Sequence, residues 1–266
     1  MKSINPWGYT MASNLDGDGY RYDALFYEYQ REGSARSARA LLPRVIDTLG
    51  AGSVLDVGCG AGAWLAAYGG LGISDHVGVD GDYVDRSMLL VAPGNFLPRD
   101  IAVPFDLGRQ FDLAQCLEVG EHVPTAASAN LVDNIVRHSR RALFSAAVPG
   151  QGGEEHVNEQ PYAFWRKLFA ERGYRLFDFV RPRIQDDDRI ESWYRYNVLF
   201  FCRDDAIGEL PPAVAATRVP DDAPIKDYSP ASYRLRKAVM RSLPPRALST
   251  LAVLKHKLVV RSLNRR

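Results

Sequence analysis

Residues 53–65 read Ser53-Val54-Leu55-Asp56-Val57-Gly58-Cys59-Gly60-Ala61-Gly62-Ala63-Trp64-Leu65. Val54, Leu55 and Val57 make an apolar run suited to a strand covered on both faces. Gly58, Gly60 and Gly62 then let the backbone turn tightly and approach a ligand with no Cβ in the way. The amides that open the following helix are placed to bind acceptor atoms. Open α/β sheets seat nucleotides at such turns.

Upstream, Tyr22 to Gln30 and Ser34 to Leu49 read as helices. In the second, Ala38, Leu41, Leu42, Val45, Ile46 and Leu49 recur at helical spacing, with Pro43 a kink or a new start. Downstream, strands are expected over His76 to Asp80, Asn95 to Asp100, Phe111 to Glu118, Ala142 to Val148, Tyr174 to Val180 and Trp193 to Cys202. Helices are expected over Tyr83 to Leu90, Ala126 to Arg141 and Pro161 to Arg172. This alternation implies an α/β fold with a doubly wound, mostly parallel sheet. The last two strands show no helix between them, which favours an antiparallel pair.

The chain has 266 residues, 46% hydrophobic and 24% charged, an ordinary globular composition. Cys59, Cys116 and Cys202 form no disulfide framework, Met1 to Tyr20 has no apolar signal core, and no stretch could span a bilayer. A cytoplasmic protein is expected. The net charge of +1 conceals an asymmetry: residues 229–266 hold ten Lys or Arg and no acid, leaving 1–228 with 23 basic and 32 acidic groups, a net of −9. The division expected is a flexible arm (1–21), a catalytic domain (22–205), a proline-rich linker (206–229) and a basic amphipathic helical tail (230–266) with helices near Ala231 to Ser242 and Ala247 to Leu263. That tail suits an anionic membrane surface, on the inner face of the cell membrane, or an acidic partner such as a glycan-assembly protein. The acidic body argues against nucleic acid.

Gly58, Gly60 and Ala63 satisfy a dinucleotide fingerprint, and Asp80 lies 20 residues beyond Gly60, so an NAD-dependent oxidoreductase is one reading. Three acids favour another. Asp56 stands where NAD's pyrophosphate would be repelled and an amine or sulfonium attracted; Asp80 ends the next strand, placed for ribose hydroxyls; Asp100 and Ile101 end the third, placed for an adenine amino group and ring. Leu55-Asp56-Val57-Gly58-Cys59-Gly60-Ala61-Gly62, with Val79-Asp80 following, closely resembles the class I S-adenosylmethionine-dependent methyltransferases. The resemblance implies seven strands, the last antiparallel. It implies that Asp56, Gly58 and Gly60 hold the methionine part, Asp80 and Gly81 the ribose, Asp100 and Ile101 the adenine, and that Glu118 touches the cofactor.

Acceptor chemistry is expected after the fourth and fifth strands. Glu118, Glu121 and His122 form an ExxEH cluster similar to the metal-binding motif of small-RNA 2′-O-methyltransferases and some ubiquinone-pathway O-methyltransferases. That similarity implies Mg²⁺ or another divalent metal on Glu118, Glu121 and His122, with His156 as the distant fourth ligand. The alternative is that Glu118 only contacts the cofactor and His122 caps a loop. Gln151 to Pro161 offers donors and acceptors suited to a hydroxyl-rich acceptor and, with Phe144 to Gly150 and Tyr162 to Trp165, resembles methyltransferases found among bacterial surface-glycan biosynthesis proteins. His156 is the first candidate base and His122 the second, with Glu121 beside them. The expectation is an O-methyltransferase acting on a saccharide or glycan precursor. A methyltransferase-like scaffold in glycan assembly is the third alternative.

Overall fold

A computed structural model describes residues 17–153 and 155–242, with side chains from residue 32 onward. The two helices expected before the glycine turn are one, α1 (Gly17–Leu49), which runs through Pro43. Its buried stripe of Ala38, Leu41, Leu42, Val45 and Leu49 packs against the sheet. Tertiary packing of this kind sustains a helix that a proline by itself weakens.

The chain then runs β1 (Ser53–Val57), α2 (Ala63–Gly70), β2 (Asp75–Asp80), β3 (Phe96–Pro98), β4 (Leu113–Leu117), α3 (Ser128–His138), β5 (Arg141–Ser145), α4 (Tyr162–Ala170), β6 (Tyr174–Phe177), α5 (Arg181–Ile184), α6 (Ser192–Asn197) and β7 (Leu199–Arg203). The seven strands form one sheet in the order β3-β2-β1-β4-β5-β7-β6. β7 runs antiparallel to both neighbours and the other pairings are parallel. This is the doubly wound, seven-stranded sheet expected. Because the chain leaves β1 for β2 on one side and returns to β4 on the other, a crevice opens where the strand order reverses. One face of the sheet packs on α1, α2 and the β6–β7 connection, the other on α3 and α4.

Three expectations are corrected. Tyr83 to Leu90 is not an α-helix: it holds a single 3-10 turn, Arg86–Met88, opened by Asp85, whose side chain accepts from the Ser87 amide at 2.8 Å. Such local side-chain bonds compete with helix formation. Trp193 to Cys202 is not one strand, because its first residues form α6. Tyr194 stacks edge-on with Trp64 at 4.9 Å and shares a hydrogen bond with Ser34, so packing overrides the β preference of an aromatic run. The proline-rich segment after β7 is packed rather than free. It contains α7 (Pro212–Ala215), buries Ala206 and Val214 completely, and its Val219 amide donates to Leu176 O, covering the exposed edge of β6. α8 (Ala231–Arg241) follows where the first tail helix was expected. Of the arm expected over 1–21, residues 17–21 belong to α1 instead, while residues 1–16 and the second tail helix lie outside the described residues. Among the described residues no helix is long and apolar enough to cross a membrane.

Candidate active site

The side expected to hold the donor is built on β1 and β2. Gly58 turns at φ +82°, and a Cβ on it would sit 2.5 Å from Val119 Cγ2 in the loop after β4, so only glycine fits. The Gly58 amide donates to Val79 O at 2.7 Å, bending the loop over the end of β2. Both oxygens of Asp80 are engaged. Oδ2 accepts from the Gly60 amide at 2.7 Å, while Oδ1 accepts from the Gly81 amide at 2.7 Å and the Tyr83 hydroxyl at 2.6 Å. Tyr83, which nothing in its sequence context marked, thus places a hydroxyl on the carboxylate expected to take ribose hydroxyls. Beside it a cavity of about 200 Å³ is lined by Gly81, Tyr83, Pro98, Asp100 and Ile101. Asp100 lies beyond the end of β3 and caps the Ala102 amide at 3.0 Å, while Ile101 is buried.

Asp56 lies deeper. The register pairs it with Gln115 on β4, and both are buried. Asp56 Oδ2 and Gln115 Nε2 find no hydrogen-bond partner in the protein, whereas Gln115 Oε1 accepts from Tyr68 at 2.7 Å. Burial pushes the Asp56 carboxyl up to about 7; the Gln115 amide opposes this and the Asp80 charge adds to it. An unpaired carboxylate oxygen beside the glycine turn fits a ligand bearing an amine. Gln115 is the one polar residue within β4, and the expectations drawn from the sequence did not single it out.

On the side expected for the acceptor the chain leaves β4 through Glu118, a non-glycine residue at φ +55°, held by hydrogen bonds from its amide to Ser145 O and Oγ, both 3.0 Å. Backbone of this kind persists where its surroundings fix it and often marks functional sites. Glu118 Oε2 accepts from Gln151 at 3.0 Å and Oε1 from Asn197 at 3.2 Å; Asn197 also donates to Gln151 Oε1 at 2.8 Å and accepts from Tyr162. Asn197 is the member of this network that sequence reasoning missed, having placed it inside a strand.

The two acceptor loops are stapled together. The Val157 and Asn158 amides both donate to Glu121 O, and Asn158 Nδ2 donates to Gly120 O at 3.0 Å. This brings ligand atoms of Glu121, His122 and His156 within 4.8 Å of one another. Glu118 is outside that trio. Its charge acts on Glu121 all the same: burial first, then Glu118, push the Glu121 carboxyl well above the usual range, and Glu121 Oε2 is buried without a partner. Burial likewise raises Glu118, against its Asn197, Ser145 and Gln151 hydrogen bonds. Desolvation, together with the His156 ring 5.0 Å away, pushes His122 down to about 4, although the residue is exposed at the surface. His156 is held differently. Its Nδ1 lies 2.9 Å from Glu159 Oε1, and Glu159 also accepts from the Gly152 and Gly150 amides at 2.7 and 2.8 Å. Burial works against the Glu159 charge, but these bonds outweigh it and keep the carboxyl below its usual range.

A family model described as a methyltransferase domain matches residues 27–193. The chain belongs to that family. It is an S-adenosylmethionine-dependent methyltransferase, which sets aside the oxidoreductase reading. No curated protein matches this methyltransferase in sequence. Among solved structures, the sugar N-methyltransferase KedS8 from Streptoalloteichus is similar at 20% identity and a TM-score of 0.52, over 73% of this chain and 95% of its own. DesVI from Streptomyces venezuelae gives 15% and 0.49, over 71% and 99%. The magnesium protoporphyrin IX methyltransferase from Synechocystis gives 18% and 0.48, over 70% and 95%. The first of these likenesses shows the shared fold.

Proposed function

We propose that the protein methylates a hydroxyl of a saccharide or glycan precursor, with His156 as the general base. The observation that carries this reading is the gathering of Glu121, His122 and His156 on loops beyond the carboxyl ends of β4 and β5, the edge where the donor crevice opens. A hydroxyl is a poor nucleophile until its proton is accepted or its oxygen polarised. Glu159 fixes the orientation of His156, while an imidazole whose pKa is near 4 accepts protons poorly at neutral pH, so His122 is the weaker base. Gln151 and Asn158, buried and bonded to Glu118, Gly120 and Ser128, brace the loop that would face a polyhydroxyl ligand.

On the donor side, Asp56, Gly58 and Gly60 are assigned to the methionine part, Asp80 and Gly81 to the ribose, Asp100 and Ile101 to the adenine. S-adenosylmethionine supplies the methyl group when bound. The unpartnered Asp56 Oδ2 supports this assignment. Glu118 is tied to Gln151 and Asn197, which suits a residue that braces the boundary between donor and acceptor.

A divalent cation such as Mg²⁺ also fits Glu121, His122 and His156; with it bound His156 would be a ligand and not the base, so this is a second route to the same hydroxyl chemistry. The support is the buried, unpartnered Glu121 Oε2 and two raised carboxyls side by side, an arrangement that a cation stabilises. Held there, the ion would lower the pKa of an acceptor hydroxyl. The test is transfer of labelled methyl from S-adenosylmethionine into cell-extract glycans by wild type and His156→Ala. Label on an amine, or equal labelling by the variant, would overturn the reading. Cofactor binding with no transfer to any acceptor would favour the scaffold alternative.

A further inference from the structure

α8 is amphipathic the wrong way round for a helix that only packs on its own domain. Lys237 is its buried residue, 3% exposed, and pairs through Nζ with Asp227 Oδ2 at 2.7 Å. Leu235 and Val239, one turn apart, are instead 67% and 53% exposed. At about 100° per residue, Ala231, Leu235, Ala238 and Val239 share the outward face. Arg236 flanks it on one edge, Arg234 and Arg241 on the other, all exposed. No acid stands anywhere from Ser229 to Arg266.

We propose that this outward face of α8 docks on an anionic lipid bilayer. An aliphatic strip edged by arginines matches the boundary between acyl chains and phosphate headgroups, where the strip is buried and the guanidiniums reach anionic lipid. The charge asymmetry sets the orientation, because residues 1–228 carry a net of −9 and are repelled by the surface that attracts the tail. A nucleic acid would use the arginines but would leave the exposed Leu235–Val239 strip uncovered. The docked helix lies directly on the acceptor loop: Arg241 Nε donates to Pro149 O at 2.7 Å, the Lys237 backbone abuts Gly150, and Tyr233 packs on Tyr196 at 5.4 Å. Docking therefore brings the loop bearing Gln151 and His156 to the membrane. If the methyl-transfer reading holds, the acceptor is lipid-carried; the docking itself does not depend on that reading.

The experiment is co-sedimentation of the full chain with vesicles of phosphatidylcholine alone or phosphatidylcholine mixed with phosphatidylglycerol, for wild type, Leu235→Ser/Val239→Ser and Arg236→Glu. Binding to the anionic vesicles only is expected, weakened about tenfold or more in each variant, with S-adenosylhomocysteine binding unchanged as proof of an intact fold. No binding to anionic vesicles, equal binding by all three proteins, or preference for an RNA oligonucleotide that survives Leu235→Ser/Val239→Ser would each overturn the proposal. Because cofactor affinity is read separately by calorimetry, loss of vesicle binding and failure of the methyltransferase reading remain distinguishable.

Discussion

On the proposed assignment of Asp80 to the ribose, Tyr83 competes with the donor, and Tyr83→Phe should therefore tighten cofactor binding. The substitution keeps the ring beside the cavity and removes only the oxygen 2.6 Å from Asp80 Oδ1. Hydrogen bonds to charged groups contribute about 1.5–3 kcal/mol. Tyr83 is 57% exposed, so water replaces much of that and about 1 kcal/mol is a fair residue. Closed by that amount, the site is open in about 15% of molecules, and apparent affinity is reduced in proportion. Removing the hydroxyl should then improve the Kd for S-adenosylhomocysteine about sixfold. Calorimetry on both proteins measures this, with Asp80→Ala as the control that should lose affinity. A donor analogue lacking one ribose hydroxyl should show a smaller gain. Unchanged or weaker binding by Tyr83→Phe would refute the reasoning, because the phenol would then be serving the bound state.

Four further outcomes are expected. Asp56, raised to about 7 by burial, should be ionised by an amine-bearing ligand, so S-adenosylhomocysteine binding near pH 6 should release protons, seen as a dependence of the binding heat on buffer. Between 3.8 and about 7 the folded state holds a proton that the unfolded chain has lost, so this group's contribution to apo stability falls as pH rises through that window; Asp56→Asn should raise the apo Tm at pH 8 and reduce donor affinity. Gly58→Ala should cost at least about 2 kcal/mol from positive φ and the Val119 clash, whereas Gly60→Ala, at φ +53° with nothing within 4 Å of a Cβ, should cost about 1 kcal/mol; thermal denaturation of both variants tests the contrast. Glu121→Gln should weaken Mn²⁺ binding at least about tenfold in direct titration, and an unchanged affinity would remove the metal assignment.

The sheet was legible because its strands are apolar runs in a regular alternation, and the donor loop because glycines and acids stand at fixed distances. Where the sequence misled, local signals met competing contacts. Asp85 captured the Ser87 amide and cut short an expected helix; Tyr194 turned into the core and made α6 from an apparent strand; Val214 and Ala206 anchored prolines that resembled a spacer. The site showed the same limit. Asp56 and Asp80 could be placed from spacing, but their neighbours Gln115 and Tyr83 depend on strand register and on a side chain folding back. Asn197 reaches Glu118 across 79 residues, a meeting that no local pattern encodes.

The seat of Val119 against Gly58 has a consequence for how such an enzyme diversifies. The wall of the donor loop and the first turn of the acceptor loop are one surface, with no space between them for an added methyl group. A change that widens the acceptor pocket by displacing Val119 also removes the support behind the donor loop. On the proposed assignments, new acceptors are thus more accessible through exposed side chains of the later loop such as Val157, which can vary while Val119 stays in place, than through Glu118 to Val123.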